Sequence, residues 1–325
     1  MQPCFFKNLG PINARAVKNS INYISCDVSD DFSFSDFTGL KKLQKSGLSF
    51  LSESEFLRIN NYPEGTLICT DSTYRKFKGK NALIVVKDLQ CAVSILSNMF
   101  YRSFSEEEIK LLEKPKIGNG CKIDKSAVIE NGVVLGRNVE IGPGCLIGYN
   151  SIIGDNSSID SNTVITNSMI AENVGIGRNV SIGQQGFGFA INENENIKIY
   201  HIGRVVIQCG VNIGSNCTID RGSFSDTVIG ANTYFDNLCH IAHNVIIGNN
   251  CIFAAMSGIA GSTIVGDNVI AGGQTGIAGH LNIGSNVQIA AQSGILKDIK
   301  DNSSVMGHPA INKYKYIKNY KKNYA

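Results

Sequence analysis

Two of the five histidines in this 325-residue chain, His240 and His243, stand three residues apart in DNLCHIAHNVIIGNNC. On a helix that spacing would put both imidazoles on one face, where they could share a metal ion. A third, His280, follows in IAGHLN. A neutral imidazole can also accept a proton from a nucleophile near pH 7, so the same residues suit general base catalysis. The surrounding backbone decides between these chemistries.

That backbone is set by a six-residue period. From Ile117 the chain reads IGNGCK, IDKSAV, IENGVV, LGRNVE, IGPGCL, IGYNSI, IGDNSS, IDSNTV, and from Ile229 it resumes as IGANTY, FDNLCH, IAHNVI, IGNNCI and onward to Gly294, about nineteen repeats in all. Slips around Met169 and Ser225 and a long break between Gly186 and Ile202 divide the array. A branched apolar residue every sixth position, followed by Gly, Asp or Ala, describes a triangular solenoid with short parallel strands as faces and small or Asn residues at the corners. Fifth-position Ser, Thr, Ala, Val and Cys would fill the narrow space beside the stacked Ile, Leu and Val. Three repeats make one coil, and coils stack at about 4.8 Å.

Placed on such coils, His240 and His243 straddle a corner and cannot act as a helical metal pair. The hexapeptides of His243 and His280 start 36 residues apart, two whole coils, which puts both at one corner region about 10 Å apart along the axis.

Residues 1–112 lack the period and read as a small α/β domain. NALIVV is a strand, Asp88 caps a helix with Leu89, Ala92, Val93, Leu96 and Phe100 on one face, and Ser105 with Glu108 forms a capping box. GLSFLSESEFLRI predicts a strand ending near Leu51 and a helix opening at Ser52, with Glu55 completing a second capping box. Phe50 and Phe56 then flank the turn, as two faces for a planar ring or as domain core.

Composition narrows the rest. At 43% hydrophobic and 18% charged residues the chain is ordinary globular material, and 34 glycines against 6 prolines indicate many ordered turns. No window of 18 apolar residues occurs, and the opening MQPCFFKNLGPIN does not read as a secretory signal, so a cytoplasmic protein is expected. Cys121, Cys145, Cys217, Cys239 and Cys251 fall at one phase of the repeat and read as small buried thiols; no CxxC pair supports a zinc site. From Leu296 the chain turns basic, with a charge of +5 against −2 for the remainder. Such a tail suits an acidic partner or a solvated helix, and no RNA or DNA fold signature accompanies its tyrosines.

QQGFGFA, HIGRVVI, IDRGS, DNLCHIAHNV and GIAGSTIVG, in this order on hexapeptide coils behind an α/β domain, resemble the UDP-3-O-(3-hydroxyacyl)glucosamine N-acyltransferases of lipid A biosynthesis. The resemblance runs over nearly the whole chain. It implies a left-handed parallel β-helix over 113–296 with a loop insertion near 186–202, an N-terminal uridine-binding domain over 1–112, and a C-terminal helical extension over 297–325. It implies transfer of a 3-hydroxyacyl chain from acyl carrier protein to the 2-amino group of a UDP-3-O-acylglucosamine. A homotrimer is expected because a groove deep enough for a long acyl chain is most easily built between neighbouring prisms, and cyclic symmetry then gives three equal sites. His243 matches the family's base, Gly261 its oxyanion donor and His280 its second histidine. Phe50, Glu53 and Phe56 match the uracil-stacking motif, with Glu53 in place of Asn and Phe56 in place of Tyr. Asp236, Asn237, His240, Gln185 and Phe187 fall among the substrate-contacting positions, with His240 where Gln is common and Gln185 where Asp often precedes GFG. Lys313, Lys315 and Lys318 are expected to meet the acidic carrier. No metal or dissociable cofactor is expected, because the acyl group arrives as a phosphopantetheine thioester. Two alternatives share the helix: zinc-binding γ-type carbonic anhydrases, whose HxxxxH pair is missing here, and acyltransferases acting on other UDP-amino sugars, of which the O-acyltransferase of UDP-N-acetylglucosamine starts directly with hexapeptides.

Overall fold

The computed structural model describes residues 4–57, 61–191, 195–307 and 322. Lys313, Lys315 and Lys318, and with them most of the expected C-terminal helical extension, lie outside the described residues.

The period of six becomes a left-handed parallel β-helix with three flat faces. The first face stacks nine strands from Lys116–Ile117 to Asn282–Ile283, the second ten from Lys122–Ile123 to Ser304–Val305, and the third nine from Val128–Ile129 to Gly294–Ile295. In each two-residue strand the second residue points inward. On the third face Ile147, Ile165, Ile182, Ile219, Ile241, Ile259 and Ile277 form one buried column. Removing such side chains from water contributes about 1.5–3 kcal/mol each, which is what holds strands this short together. Thr163, Thr233, Ser257, Thr263, Thr275 and Ser293 fill the fifth positions and are buried. Their hydroxyls bond to backbone carbonyls, as Thr163 does to Gly177 at 2.8 Å and Thr263 to Ala278 at 2.8 Å. All ten cysteines are free thiols; Cys145, Cys217, Cys239 and Cys251 are buried as expected, whereas Cys121, in the first coil with no coil before it, is only partly buried. The helix runs beyond the boundary read at residue 296, since Ser304–Val305 pairs with Gln288–Ile289. A polar stretch that still offers Ser304 and Val305 in register is enough for one more strand.

Most corners turn through a residue in the left-handed region, where Asn is tolerated better than most side chains. Along the edge between the first and second faces this residue is Asn at 138, 156, 173, 232, 250, 268, 286 and 302, with φ between 55° and 59°. The side-chain amides bond from coil to coil, Asn268 to Asn286 and Asn286 to Asn302 at 3.0 Å each. The two edges that border the third face change character in the later coils. One carries Leu238, Met256, Gln274 and Gln292 at positive φ, the other Asn244, Ser262 and His280.

The N-terminal unit is a five-stranded sheet ordered Tyr23–Cys26, Ala82–Val86, Thr66–Thr70, Gly47–Phe50, Asp36–Phe37, parallel except for its first pair. The Leu89–Phe100 helix packs on it, N-capped by Asp88, whose carboxylate accepts from Cys91 N–H. Ser105 and Glu108 form the expected capping box.

The break in the repeat is a β-hairpin of Phe189–Ile191 and Asn196–Lys198. It leans on the Leu89–Phe100 helix: Gln90 donates to the Phe189 carbonyl at 2.9 Å, Asn98 to that of Lys198 at 2.7 Å, and Tyr200 N–H to Ser97 Oγ at 2.8 Å. The slip near Ser225 sends Phe224 out of the prism and into the N-terminal core, with its ring 5.3 Å from Phe37 and 5.0 Å from Phe50.

Candidate active site

His243 sits at the corner that follows the His240–Ile241 strand. Its Nδ1 lies 2.9 Å from Asn244 Oδ1. The orientation of that amide is set by backbone groups on both sides: Oδ1 accepts from Ser223 N–H at 3.0 Å, and Nδ2 donates to the Ser225 carbonyl at 3.1 Å. An acceptor therefore faces His243, so Nδ1 carries the proton and Nε2 holds the free lone pair.

One coil on, Gly261 faces that nitrogen. A Cβ at this position would stand 2.7 Å from His243 Cε1 and 2.8 Å from Nε2, so only glycine leaves the imidazole its place. Among the described residues the Gly261 N–H has no acceptor, while its carbonyl takes the N–H of His280 at 3.0 Å. His280 is exposed and occupies the left-handed corner position with φ 62°. The stack His243, Gly261, His280 thus runs along one corner over two coils. On the third face beside it, the outward positions after His240 are Gly258, Gly276 and Gly294, each with open space where a Cβ would be.

His240 is half-exposed and leans over the neighbouring coil, with Nδ1 2.7 Å from Thr218 Oγ1 and Nε2 3.8 Å from Asp220 Oδ2. Asp220 is buried and receives Gln184 Nε2 at 2.8 Å. Burial raises its carboxyl above the ordinary value, with His240 the main opposing influence. Asp236 and Asn237 belong to the preceding corner, separated from His243 by the whole His240–Ile241 strand. Asp236 Oδ1 accepts from Asn237 N–H, and Asn237 Oδ1 accepts from Ser215 N–H, so their described bonds serve the corner itself.

The hairpin brings in groups that repeat reasoning did not assign to the site. His201 is fully buried, with its ring centroid 5.1 Å from that of His243. Burial, reinforced by His243 and Arg221, pushes its imidazole down to about 3. Arg221, also buried, donates to the His201 carbonyl at 2.9 Å, the Gly183 carbonyl at 3.1 Å and Gln185 Oε1 at 3.4 Å. Gln185 Nε2 in turn holds the Ile199 carbonyl at 2.9 Å. Phe187 is 83% exposed and meets Phe189 edge to face at 4.9 Å. HIGRVVI contained part of the signal, a histidine just ahead of the resumed repeat, whereas Arg221 of IDRGS takes the third repeat position that Arg137 and Arg178 also hold and is set apart only by its burial.

Phe50 and Phe56 fall in different surroundings. Phe50 packs with Phe37 and Phe224 in the larger N-terminal core. Phe56 packs near Tyr62 and Phe77 in a smaller cluster and lines an open cavity of about 1070 Å³ together with Lys45, Lys76, Lys78 and Lys80. Glu53 opens the short helix and pairs with Lys76 at 3.6 Å, both ends exposed.

Comparison with known proteins agrees with this architecture. Residues 226–261 match the family described as bacterial transferase hexapeptide (six repeats), and residues 111–202 match the GMPPB C-terminal domain. The fold is similar to that of a UDP-N-acetylglucosamine acyltransferase from Arabidopsis, at 24% identity and a TM-score of 0.55 over 65% of this chain and 74% of that one. The corresponding protein from Campylobacter jejuni gives 26% identity and a TM-score of 0.52 over 63% and 79%. A 63-residue segment is 56% identical to the UDP-3-O-acylglucosamine N-acyltransferase of Methylorubrum extorquens (strain PA1), and a 59-residue segment is 56% identical to that of Leptospira biflexa. These segments span 18% and 17% of the relatives' lengths, and 19% and 18% of this chain. By its hexapeptide coils and this shared segment, the chain is a hexapeptide-repeat protein similar to the UDP-3-O-acylglucosamine N-acyltransferases.

Proposed function

We propose that the protein is an N-acyltransferase of lipid A biosynthesis, moving a 3-hydroxyacyl chain from acyl carrier protein to the 2-amino group of UDP-3-O-acylglucosamine. The observation that carries this reading is the free Nε2 of a half-buried His243 facing the bare backbone of Gly261. In the reaction the amine nitrogen attacks the thioester carbonyl and His243 Nε2 takes the amine proton. The Gly261 N–H donates to the oxyanion of the tetrahedral intermediate. Collapse forms the amide and breaks the C–S bond, and the protonated imidazole returns its proton to the leaving thiolate. The activated acyl group arrives on the carrier, so the residues in hand account for the proton traffic.

Phe56, with the lysines beside it, supports uridine binding in the N-terminal domain; Phe50 contributes through the packing that shapes the same strand-to-helix turn. The open glycine positions 258, 276 and 294 beside the histidine corner suit passage of a slender chain. Assembly as a homotrimer is supported by exposed apolar residues in register on the second face, Tyr234, Ile252 and Ile270. Among the described residues no helix is long and apolar enough to cross a membrane. For the carrier we propose the basic tail as the docking element. Reversing Lys313, Lys315 and Lys318 to Glu then raises KM for acyl carrier protein and weakens its salt dependence, while a short acyl-pantetheine donor is unaffected.

The deciding experiment incubates the protein with UDP-3-O-acylglucosamine and acyl carrier proteins of graded acyl length and follows the amide product by mass spectrometry. The reading fails if no amide forms with any donor.

A further inference from the structure

We infer that His201 is a positioning residue for His243, tying the Gly186–Gly188 segment and the base into one rigid unit; the inference rests on the reading of His243 as the base. His201 Nδ1 accepts the Gly186 N–H at 3.1 Å. Its ring meets that of His243 edge to face, at an interplanar angle of 62°. Gly186 is the third side of this contact: a Cβ there would stand 2.7 Å from His243 Cβ and 3.0 Å from His201 Cε1. The imidazole of the base is thereby enclosed by Gly186, His201 and Gly261, and its Nδ1 is held by Asn244.

His201 is itself fixed from behind. Arg221 grips its carbonyl and that of Gly183, the two ends of the excursion that carries the hairpin. The neighbouring Tyr200 is bonded through its N–H to Ser97 and through its hydroxyl to Ser103, both in the N-terminal domain. The chain therefore reaches from that domain through His201 to the base.

Packing alone does not explain a histidine here. With Nδ1 accepting, the proton of the neutral ring is on Nε2, and Nε2 is buried without a partner against Gly188. Phenylalanine would fill the space without stranding a donor. What phenylalanine lacks is the acceptor for Gly186 N–H, and that acceptor is the function we assign. Burial keeps the ring uncharged through the working pH range, so it adds no positive charge beside His243.

The test compares His201→Asn, whose Oδ1 stands near the place of Nδ1, with His201→Phe, which keeps the volume and loses the acceptor. His201→Asn is expected to stay within about threefold of wild-type turnover. His201→Phe is expected to lose about ten- to a hundredfold in kcat, the scale of an ångström-level misplacement of a catalytic group, with both KM values changed less than about twofold. The rate at which diethyl pyrocarbonate modifies His243, read by peptide mass spectrometry without any substrate, should change severalfold in His201→Phe and little in His201→Asn. His201→Leu repeats the comparison if the Phe variant does not fold. Wild-type kcat and wild-type His243 modification in His201→Phe, or equal losses in the Asn and Phe variants, overturn the inference. Full activity in His243→Ala overturns the base reading instead, and the modification rates then still report whether His201 positions that ring.

Discussion

The His243 corner and the Phe50–Phe56 turn, the two candidate binding regions, place their side chains in two opposite ways. At the corner each side chain is placed by a lattice: the coil repeat dictates which atom stands above which, and Gly261 is one coil from His243 whatever the rest of the chain does. At the turn nothing repeats, and two aromatics six residues apart end in separate cores because Phe224 arrives from the solenoid to claim one of them. A lattice site tolerates little change in side-chain size and little change in chemistry. A site in an irregular turn blends binding with stability, so the same type of substitution can read out as either.

The largest effect should come from the lattice. His243→Ala is expected to lower kcat by about two to four powers of ten while thermal stability and oligomeric state hold, because the half-buried ring lies outside the prism core. Near-normal turnover would put the chemistry elsewhere, with His240 the first residue to test. Gly261→Ala should follow, with roughly a hundredfold loss in kcat. Its methyl must displace the His243 ring, and crystallographic analysis of the variant would show the imidazole rotated; an unmoved ring with full activity would contradict the close fit.

On the other side of the comparison, Phe50→Ala should act on stability, by about 2–3 kcal/mol in denaturant melts, since it opens the cluster with Phe37 and Phe224. A large rise in sugar-nucleotide KM without loss of stability would instead return Phe50 to the binding surface. His201, tied through Tyr200 to Ser97 and Ser103 of the N-terminal domain, predicts a pH effect. The unfolded chain protonates this imidazole near 6.5 and the folded protein only near 3. The stability it contributes is therefore complete above pH 6.5 and declines as pH falls toward 3, by about 2 kcal/mol at pH 5. His201→Asn should flatten that part of the stability profile; an unchanged slope between pH 7 and 5 would mean the ring is not held neutral. The smallest effect is expected for Phe56→Ala, about tenfold in KM for the sugar nucleotide with kcat preserved, as stacking serves substrate and transition state alike.

The same contrast explains how much of the molecule is legible in its sequence. The coils, the corner shared by His243 and His280, the buried fifth-position thiols and the Asp88 and Ser105 caps all follow from local rules or a fixed period. His201 was visible only as a departure from the repeat, and Arg221 and Asp220 not at all, since Asp160 and Arg178 hold the same repeat positions without being buried. Their partners come from across the insertion, Gly186 fifteen residues before His201 and Gly183 thirty-eight before Arg221, and no period connects those distances. The strand at Ser304–Val305 was missed for a related reason, since its in-register partner lies only 16 residues back, short of a full coil.

The asparagine edge has a mechanical consequence. Amides bonded from coil to coil lace one corner of a triangular beam, a shorter lace from Gln292 Nε2 to Gln274 Oε1 at 2.8 Å runs along the corner between the second and third faces, and the remaining corner carries Ser262 and His280 at the same backbone angle. The third face itself carries no outward side chains at Gly258, Gly276 and Gly294, so at those positions its coils are joined by the strand hydrogen bonds alone and it forms the smooth side of the beam.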